Sequence, residues 1–434
     1  MIRTIDRFLH SWVFLILTAA ATVVVWSFGW ASIGIPVILA LIFLQFVLFK
    51  DAMPSFPLLL AGMFMFRDKM EGFQDIPWYL FAVPPAILLG MLVHMIRFRT
   101  RFWEGKMIGG ILLMFVAMVF SAFNAVSVTI YYLFYALIGL LYAFIYLFYR
   151  NSLEGDHVEY LLRMMMLAGL VVASEVLIWY LTTDDVLTAI ENKQIQLGLG
   201  NSNYVATYIL MFLPPALYYA KKWKWGFFLI VAAVFEAGML CLTGSRGGMV
   251  ALAIVTVPLA VYTLKSRTWL KSLTSLFAAG LGIFLLWYFN REWFAALLER
   301  LMVEQLDDSG RFEIYREAWE TFKAHPLLGG GLFARIDGND VYHMYHNTFL
   351  HTLATLGFLG FLGLAWQLFV QFASVFGRKG PERFALGLAL IGPHLHGMLD
   401  NIYYMPQFMI LMIVMVAVTE QSNLRNLPVP PRAA

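Results

Sequence analysis

Long apolar runs separated by short polar breaks dominate the chain. They fall near residues 11–30, 33–49, 54–66, 78–96, 107–121, 126–149, 160–181, 203–220, 226–243, 247–264, 269–289, 346–376, 383–399 and 402–419. Each is read as a helical membrane span, except that 54–66 is short for a hydrocarbon core of about 30 Å and suits a broken or re-entrant segment. The last two runs lie close together, so twelve to fourteen spans are expected. The one long polar segment is 290–345. Inside it Phe312, Tyr315, Trp319 and Phe322 recur at the spacing of one helical face, with Glu313, Arg316, Glu317, Glu320 and Lys323 on the other. Asp307, Asp308 and Ser309 offer N-cap chemistry for that helix, and His325-Pro326 ends it, because the residue before proline is pushed out of the α region. Gly329, Gly330 and Gly331 then form a flexible or closely approached turn. His343 and His346 arrive at the mouth of the next apolar run.

Composition fits this pattern. The chain is 61% hydrophobic and only 13% charged, where soluble domains carry roughly a quarter charged residues. The expected fold is an all-α polytopic membrane protein with one helical extracytoplasmic loop domain. Its units are N-terminal spans over 1–150, further spans over 151–289, the loop domain over 290–345, C-terminal spans over 346–420 and a tail over 421–434. The net charge of +3 matters less than its distribution. With both termini placed in the cytoplasm, most of the 30 basic residues fall on cytoplasmic loops, and the polar loop 290–345 falls outside. Those basic loops suit lipid headgroups rather than nucleic acid. Arg3 and Arg7 precede the first apolar run, but no small-residue cleavage site follows, so that run is read as an uncleaved span. The single cysteine, Cys241, excludes an internal disulfide.

Candidate chemistry concentrates on the outer face. Arg246 sits in the turn Thr243-Gly244-Ser245-Arg246-Gly247-Gly248. Glycines there permit close backbone approach, Ser245 and free N–H groups of residues such as Gly247 suit an anion, and a guanidinium matches phosphate oxygens bidentately. The plainer alternative is an interfacial arginine snorkelling at a hairpin. Arg311 follows Gly310 at a helix start, where its charge adds to the positive end of the helix dipole; a salt bridge to Asp307 or Asp308 competes with anion binding. His346, with Asn347 beside it, opens the span 346–376. An imidazole with an ordinary pKa near 6.5 accepts a proton at neutral pH, which makes His346 the candidate general base and His343 its alternative. A metal on these two histidines lacks a supporting HExxH pattern or cysteine, so none is expected. Asn201 and Asn203 open another outer helix, where sugar recognition and helix capping explain them equally. Glu175 and Glu236 fall within spans, where a carboxylate faces a partner or a cavity.

Taken together, the Ser245-Arg246-Gly247-Gly248 turn, Gly310-Arg311, Tyr315, Trp319, Phe322, His325 through Gly331, and His346-Asn347 with Leu350 and Gly357 resemble the O-antigen ligase/polymerase superfamily. The resemblance covers roughly residues 195–365, including the Asn201-Ser202-Asn203 turn; the first 150 residues match only as strings of spans. It implies a metal-independent, cofactor-free, inverting glycosyltransferase of the bacterial inner membrane, with its active site on the periplasmic side. The donor would be a glycan on undecaprenyl diphosphate, held by Arg246 and Arg311. His346 would act on the hydroxyl of a lipid A–core or similar lipid or glycan acceptor. A polysaccharide polymerase shares this donor chemistry. A lipid or polysaccharide transporter would explain many spans, but not the gathering of Arg311 and His346 in one outer region.

Overall fold

A computed structural model describes residues 2–67, 77–128, 130–197, 200–265, 269–303, 310–332, 344–403 and 405–425. These residues are overwhelmingly helical. The first group comprises α1 (Ile2–Leu9), α2 (Trp12–Ser27), α3 (Ala31–Leu48), α4 (Ser55–Phe64), α5 (Trp78–Phe81), α6 (Val83–Phe98), α7 (Ile108–Ser121) and α8 (Ile130–Ser152). Next come α9 (Val158–Leu181), α10 (Val186–Glu191), α11 (Ser202–Lys222), α12 (Gly226–Leu242), α13 (Arg246–Leu264) and α14 (Trp269–Val303). The chain closes with α15 (Arg311–Ala324), α16 (Thr348–Phe376), α17 (Pro381–His396) and α18 (Pro406–Arg425). A two-stranded antiparallel ribbon, Gln196–Leu197 with Gly200–Asn201, precedes α11.

Every apolar run identified in the sequence is a helix, and the protein is an all-α polytopic membrane protein. Among the described residues eight helical stretches are long and apolar enough to cross a membrane, or nine if the bent pair α1–α2 counts as one span, fewer than the twelve to fourteen expected because several of the apolar runs form helices that are shorter or less apolar. The helices α4 and α12 are apolar but shorter. The bundle is built around α11 and α18, which are buried along most of their length. In lipid, close packing replaces the hydrophobic drive between helices, and glycines allow it. Gly363 of α16 lies so close to α7 that a Cβ there would come within 2.8 Å of the Met114 nitrogen. A polar tie also fastens α8 to α18. Glu420 accepts hydrogen bonds from Arg150 Nε at 2.9 Å and from Tyr146 Oη at 2.9 Å, all of it buried.

Two helices depart from the simple pattern. The run 269–289 continues as helix to Val303, across non-helical backbone at Asn290. Its polar continuation, Asn290 onward, is therefore part of α14. The run 346–376 is broken at Gly357, which takes φ 64° and ψ −163°. The segment after α15 fills that break. The amides of Gly330 and Gly331 donate to the carbonyls of Ala354 (2.8 Å) and Thr355 (3.0 Å). The amides of Phe358 and Leu359 donate to the carbonyls of Pro326 (2.8 Å) and Leu327 (3.2 Å). Backbone groups freed inside a membrane must find partners within the protein, and here the loop supplies all four. Gly329, at φ 71°, packs so tightly that a Cβ would lie 2.3 Å from the Thr355 carbonyl carbon. The glycine run is therefore a close approach and not a flexible tether. Asp307, Asp308, Ser309 and the Pro-rich end 426–434 lie outside the described residues.

Candidate active site

The docked loop holds α15 against the start of α16, and the candidate site forms where these meet the α17–α18 turn and the start of α13. Asn347 caps α16, its Oδ1 accepting from the amides of Phe349 (2.9 Å) and Leu350 (3.0 Å). Its Nδ2 donates to the Met398 carbonyl at 2.8 Å. The amide of Thr348 donates to the Gly397 carbonyl at 2.8 Å, and its hydroxyl donates to the Asp400 carbonyl at 3.1 Å. The first turn of α16 is thus stitched to residues 397–400. His346 precedes this cap with φ 45°, a left-handed backbone that costs a non-glycine residue about 1–3 kcal/mol and clusters at functional sites. Tyr315 of α15 donates its hydroxyl to the His346 carbonyl at 3.1 Å and helps hold that conformation.

Stitching the two segments brings His346 to Asp400. Nδ1 lies 3.2 Å from Oδ1 of the carboxylate, which is only 3% exposed, whereas the imidazole side chain is 39% exposed. The Asp400 Oδ1 also accepts the Asn401 amide at 2.7 Å. Burial works to raise the Asp400 pKa, but the hydrogen bond from His346 and the neighbouring His396 outweigh it and hold the carboxyl below its usual range. An ionised Asp400 accepting from Nδ1–H leaves the Nε2 lone pair of an uncharged imidazole to accept a proton. That is the tautomer a general base needs.

The turn before α13 abuts the same residues. Gly244 adopts φ 66°, and Ser245 caps α13 by accepting from the Gly248 amide at 3.3 Å. His396, at the end of α17, links this turn to α11: Nε2 is 3.2 Å from Ser245 Oγ, and Nδ1 is 2.7 Å from Thr207 Oγ1. Gly247 has no room for a side chain, since a Cβ would meet His396 at 3.0 Å and Leu399 at 3.1 Å. Arg246, half-buried, is therefore one residue from a wall formed by the segment that carries Asp400. Arg311, also half-buried, is the first residue of α15 after Gly310, whose φ is 67°. Among the described residues no side chain caps that helix start. Burial raises the Tyr315 pKa; the Arg311 charge lowers it and the Asp400 charge raises it, so both charges act on one hydroxyl.

The structure thus gathers Ser245, Gly247, His346 and Asn347 around one end of the bundle, with Arg246 and Arg311 on adjoining helix starts. Asn201 caps α11, with Oδ1 accepting from the amides of Asn203 (3.1 Å) and Tyr204 (3.2 Å). The Asn203 Oδ1 accepts from Lys193 Nζ at 3.4 Å. His343, the alternative base, lies outside the described residues. Sequence reasoning missed Asp400, His396 and Lys193. Asp400 and His396 stand more than fifty and a hundred and fifty positions from their partners, His346 and Ser245, and no local motif announces either pairing. A buried aspartate between two apolar runs was the available signal for Asp400.

A many-helix membrane bundle with a histidine–carboxylate pair at one end, and arginines on adjoining helix starts, carries side chains of the kinds that group transfer uses. Residues 228–365 match the family model described as O-Antigen ligase, a segment that runs from α12 through the break in α16 and includes Arg246, Arg311 and His346. Over that segment the chain is similar to the O-antigen ligase family. No curated protein matches the chain.

Proposed function

We propose that the protein transfers a glycan from undecaprenyl diphosphate to an acceptor hydroxyl, at the periplasmic face of a bacterial inner membrane. The observation that carries this reading is the His346–Asp400 pair at the same bundle end as the Arg246 turn. In the proposed reaction the acceptor hydroxyl gives its proton to His346 Nε2 as its oxygen attacks the anomeric carbon. The carbon–oxygen bond to the diphosphate breaks, and the leaving group keeps the bonding pair. Asp400 holds the imidazole in its Nδ1–H tautomer and stabilises the imidazolium that forms; such a base contributes about 100- to 10,000-fold. Arg246 and Arg311 offer guanidiniums to the diphosphate as its charge grows, and one donor of that kind is worth about 3 kcal/mol. A single displacement inverts the anomeric configuration and needs no metal. Ser245, Gly247, Asn201, Asn203 and Asn347 shape the walls through caps and close contacts, with Lys193 and Asn203 at the rim.

The test supplies purified protein with a polyprenyl-diphosphate glycan and, separately, a lipid A–core acceptor or the same donor as acceptor. Transfer to the lipid core supports the ligase reading, and chain extension turns it into a polymerase. No transfer to either, with transmembrane movement of the donor instead, rejects the enzyme reading.

A further inference from the structure

At the opposite end of the bundle three side chains from three separate helix connections converge. His10 lies between α1 and α2, Asp51 between α3 and α4, and His157 between α8 and α9. Asp51 Oδ2 is 2.8 Å from His10 Nε2 and 3.0 Å from His157 Nε2, and the three ligand atoms all lie within 4.8 Å of one another. We propose that His10, Asp51 and His157 form a binding site for one divalent transition-metal ion of the zinc class, which staples the three connections together.

The donor chemistry favours an ion. His10 Nδ1 lies 2.9 Å from the Asp6 carbonyl, which can only accept, so Nδ1 carries a proton. Nε2 then faces the carboxylate of Asp51, a second pure acceptor. A neutral imidazole cannot satisfy both; an imidazolium or a metal cation between Nε2 and Oδ2 does, and the convergence of His157 Nε2 on the same Oδ2 suits the metal. A metal-bound histidine characteristically donates its other N–H to a backbone carbonyl in this way. Asp51 is oriented by the same logic: Oδ1 accepts the amides of Met53 (3.2 Å) and Glu154 (3.1 Å), which leaves Oδ2 as the ligand oxygen. Zinc–ligand bonds of about 2.0–2.2 Å set tetrahedral ligand separations of about 3.3 Å, so only small adjustments would seat the ion. The carbonyl of Glu154, 3.1 Å from His157 Nε2, or a water from the adjoining cleft can complete the shell. Two imidazoles and one carboxylate suit zinc better than magnesium or calcium, which prefer all-oxygen shells.

The surroundings are built rather than fortuitous. Asp51 and His157 are buried, and Tyr160 Oη donates to the Leu9 carbonyl at 2.9 Å, fixing the backbone next to His10. An ion there would also fix the 63° bend between α1 and α2. The site opens to a cleft walled by Arg3, Lys50, Glu154 and Arg163, which gives an entry path.

The experiment uses the full chain, tag-free in detergent and stripped with EDTA, titrated with Co²⁺ as a spectroscopic probe and then with Zn²⁺ in competition with a chromophoric chelator. One equivalent of Co²⁺ should bind, with visible bands of a four- or five-coordinate nitrogen/oxygen shell, and Zn²⁺ should displace it. His10→Gln should weaken binding by at least about 100-fold, the upper end for losing a residue that only supports a metal ligand. His10→Cys should restore tight binding and add a thiolate-to-cobalt charge-transfer band. Absence of stoichiometric Co²⁺ binding by the unaltered chain overturns the proposal, and so does binding that neither His10→Gln nor His157→Gln weakens. Because the His10→Cys band reports coordination directly, poor folding of either glutamine variant leaves the outcome decisive.

Discussion

Replacing Gly357 with alanine probes how the loop before the site is held. Gly357 has φ 64° and ψ −163°, a region open essentially to glycine alone, and a side chain confined there costs about 1–3 kcal/mol. An added Cβ would also lie 2.5 Å from both the Gly329 nitrogen and the Leu327 carbonyl carbon, and neither is the end of a flexible side chain. Something in the backbone must shift, and four hydrogen bonds of the 326–331 docking stand in the way. One buried polar group left without a partner adds about 1–3 kcal/mol, so a total near 4 kcal/mol is reasonable for undocking. Gly280 is the matched control, because nothing lies within 4 Å of a Cβ there and alanine favours its helix. Hydrogen exchange on the purified protein reads the local effect. The amides of Gly330, Gly331, Phe358 and Leu359 should exchange about 100- to 1,000-fold faster in Gly357→Ala, at about 1.4 kcal/mol per tenfold, and should not change in Gly280→Ala. Unchanged protection in Gly357→Ala would show that the break in α16 is not secured by that loop.

Other consequences are open to direct measurement. Asp400→Asn should lower transfer about 100- to 10,000-fold, with acceptor KM little changed, because the loss falls on tautomer and imidazolium stabilisation; a variant within about threefold of the parent in a steady-state transfer assay contradicts the pairing. Asp400 is also linked to stability. Its folded-state pKa is depressed, so its contribution is present above the ordinary carboxylate value near 3.9 and is lost as pH falls through the folded value. The stability gap between Asp400→Asn and the parent should therefore hold above about pH 4 and shrink only as pH falls further, through the depressed folded value; a gap that does not narrow on acidification argues against this linkage. Glu420→Gln leaves Arg150 buried with its charge uncompensated and should destabilise by about 3–5 kcal/mol, seen as a lower apparent melting temperature; no change would mean the pair is dispensable. Arg246→Lys keeps the charge but loses the planar fork and should weaken donor use in kinetic titrations, with equal donor kinetics as the refuting result.

Most of the fold was legible because its signal is local. Runs of apolar residues gave each span, His325-Pro326 ended α15, and the 3-4-3 spacing of Phe312, Tyr315, Trp319 and Phe322 gave that helix. The same spacing could not show that Tyr315 turns its hydroxyl to the His346 carbonyl, since a tyrosine on an apolar face reads as packing. The break at Gly357 was hidden for a related reason. A glycine inside an apolar run is compatible with an unbroken helix, and only the partners from residues 326–331 make the broken form affordable. Arg246, Arg311 and His346 were readable as candidates from their turns and helix starts. Asp400 and His396 were not, because their roles arise from tertiary contact between the α17–α18 turn and elements far away in sequence. The His10–Asp51–His157 cluster has the same origin, three connections meeting without any shared motif.

The central claim is that His346 takes the acceptor proton. Its most direct test is the pH dependence of single-turnover transfer by the parent and by His346→Gln, with donor binding measured in parallel. The parent should lose rate as falling pH protonates one group, and His346→Gln should bind donor normally yet transfer at least about 100-fold more slowly, without that pH limb. Transfer by His346→Gln at the parent's rate, with the same pH limb intact, would place the base elsewhere.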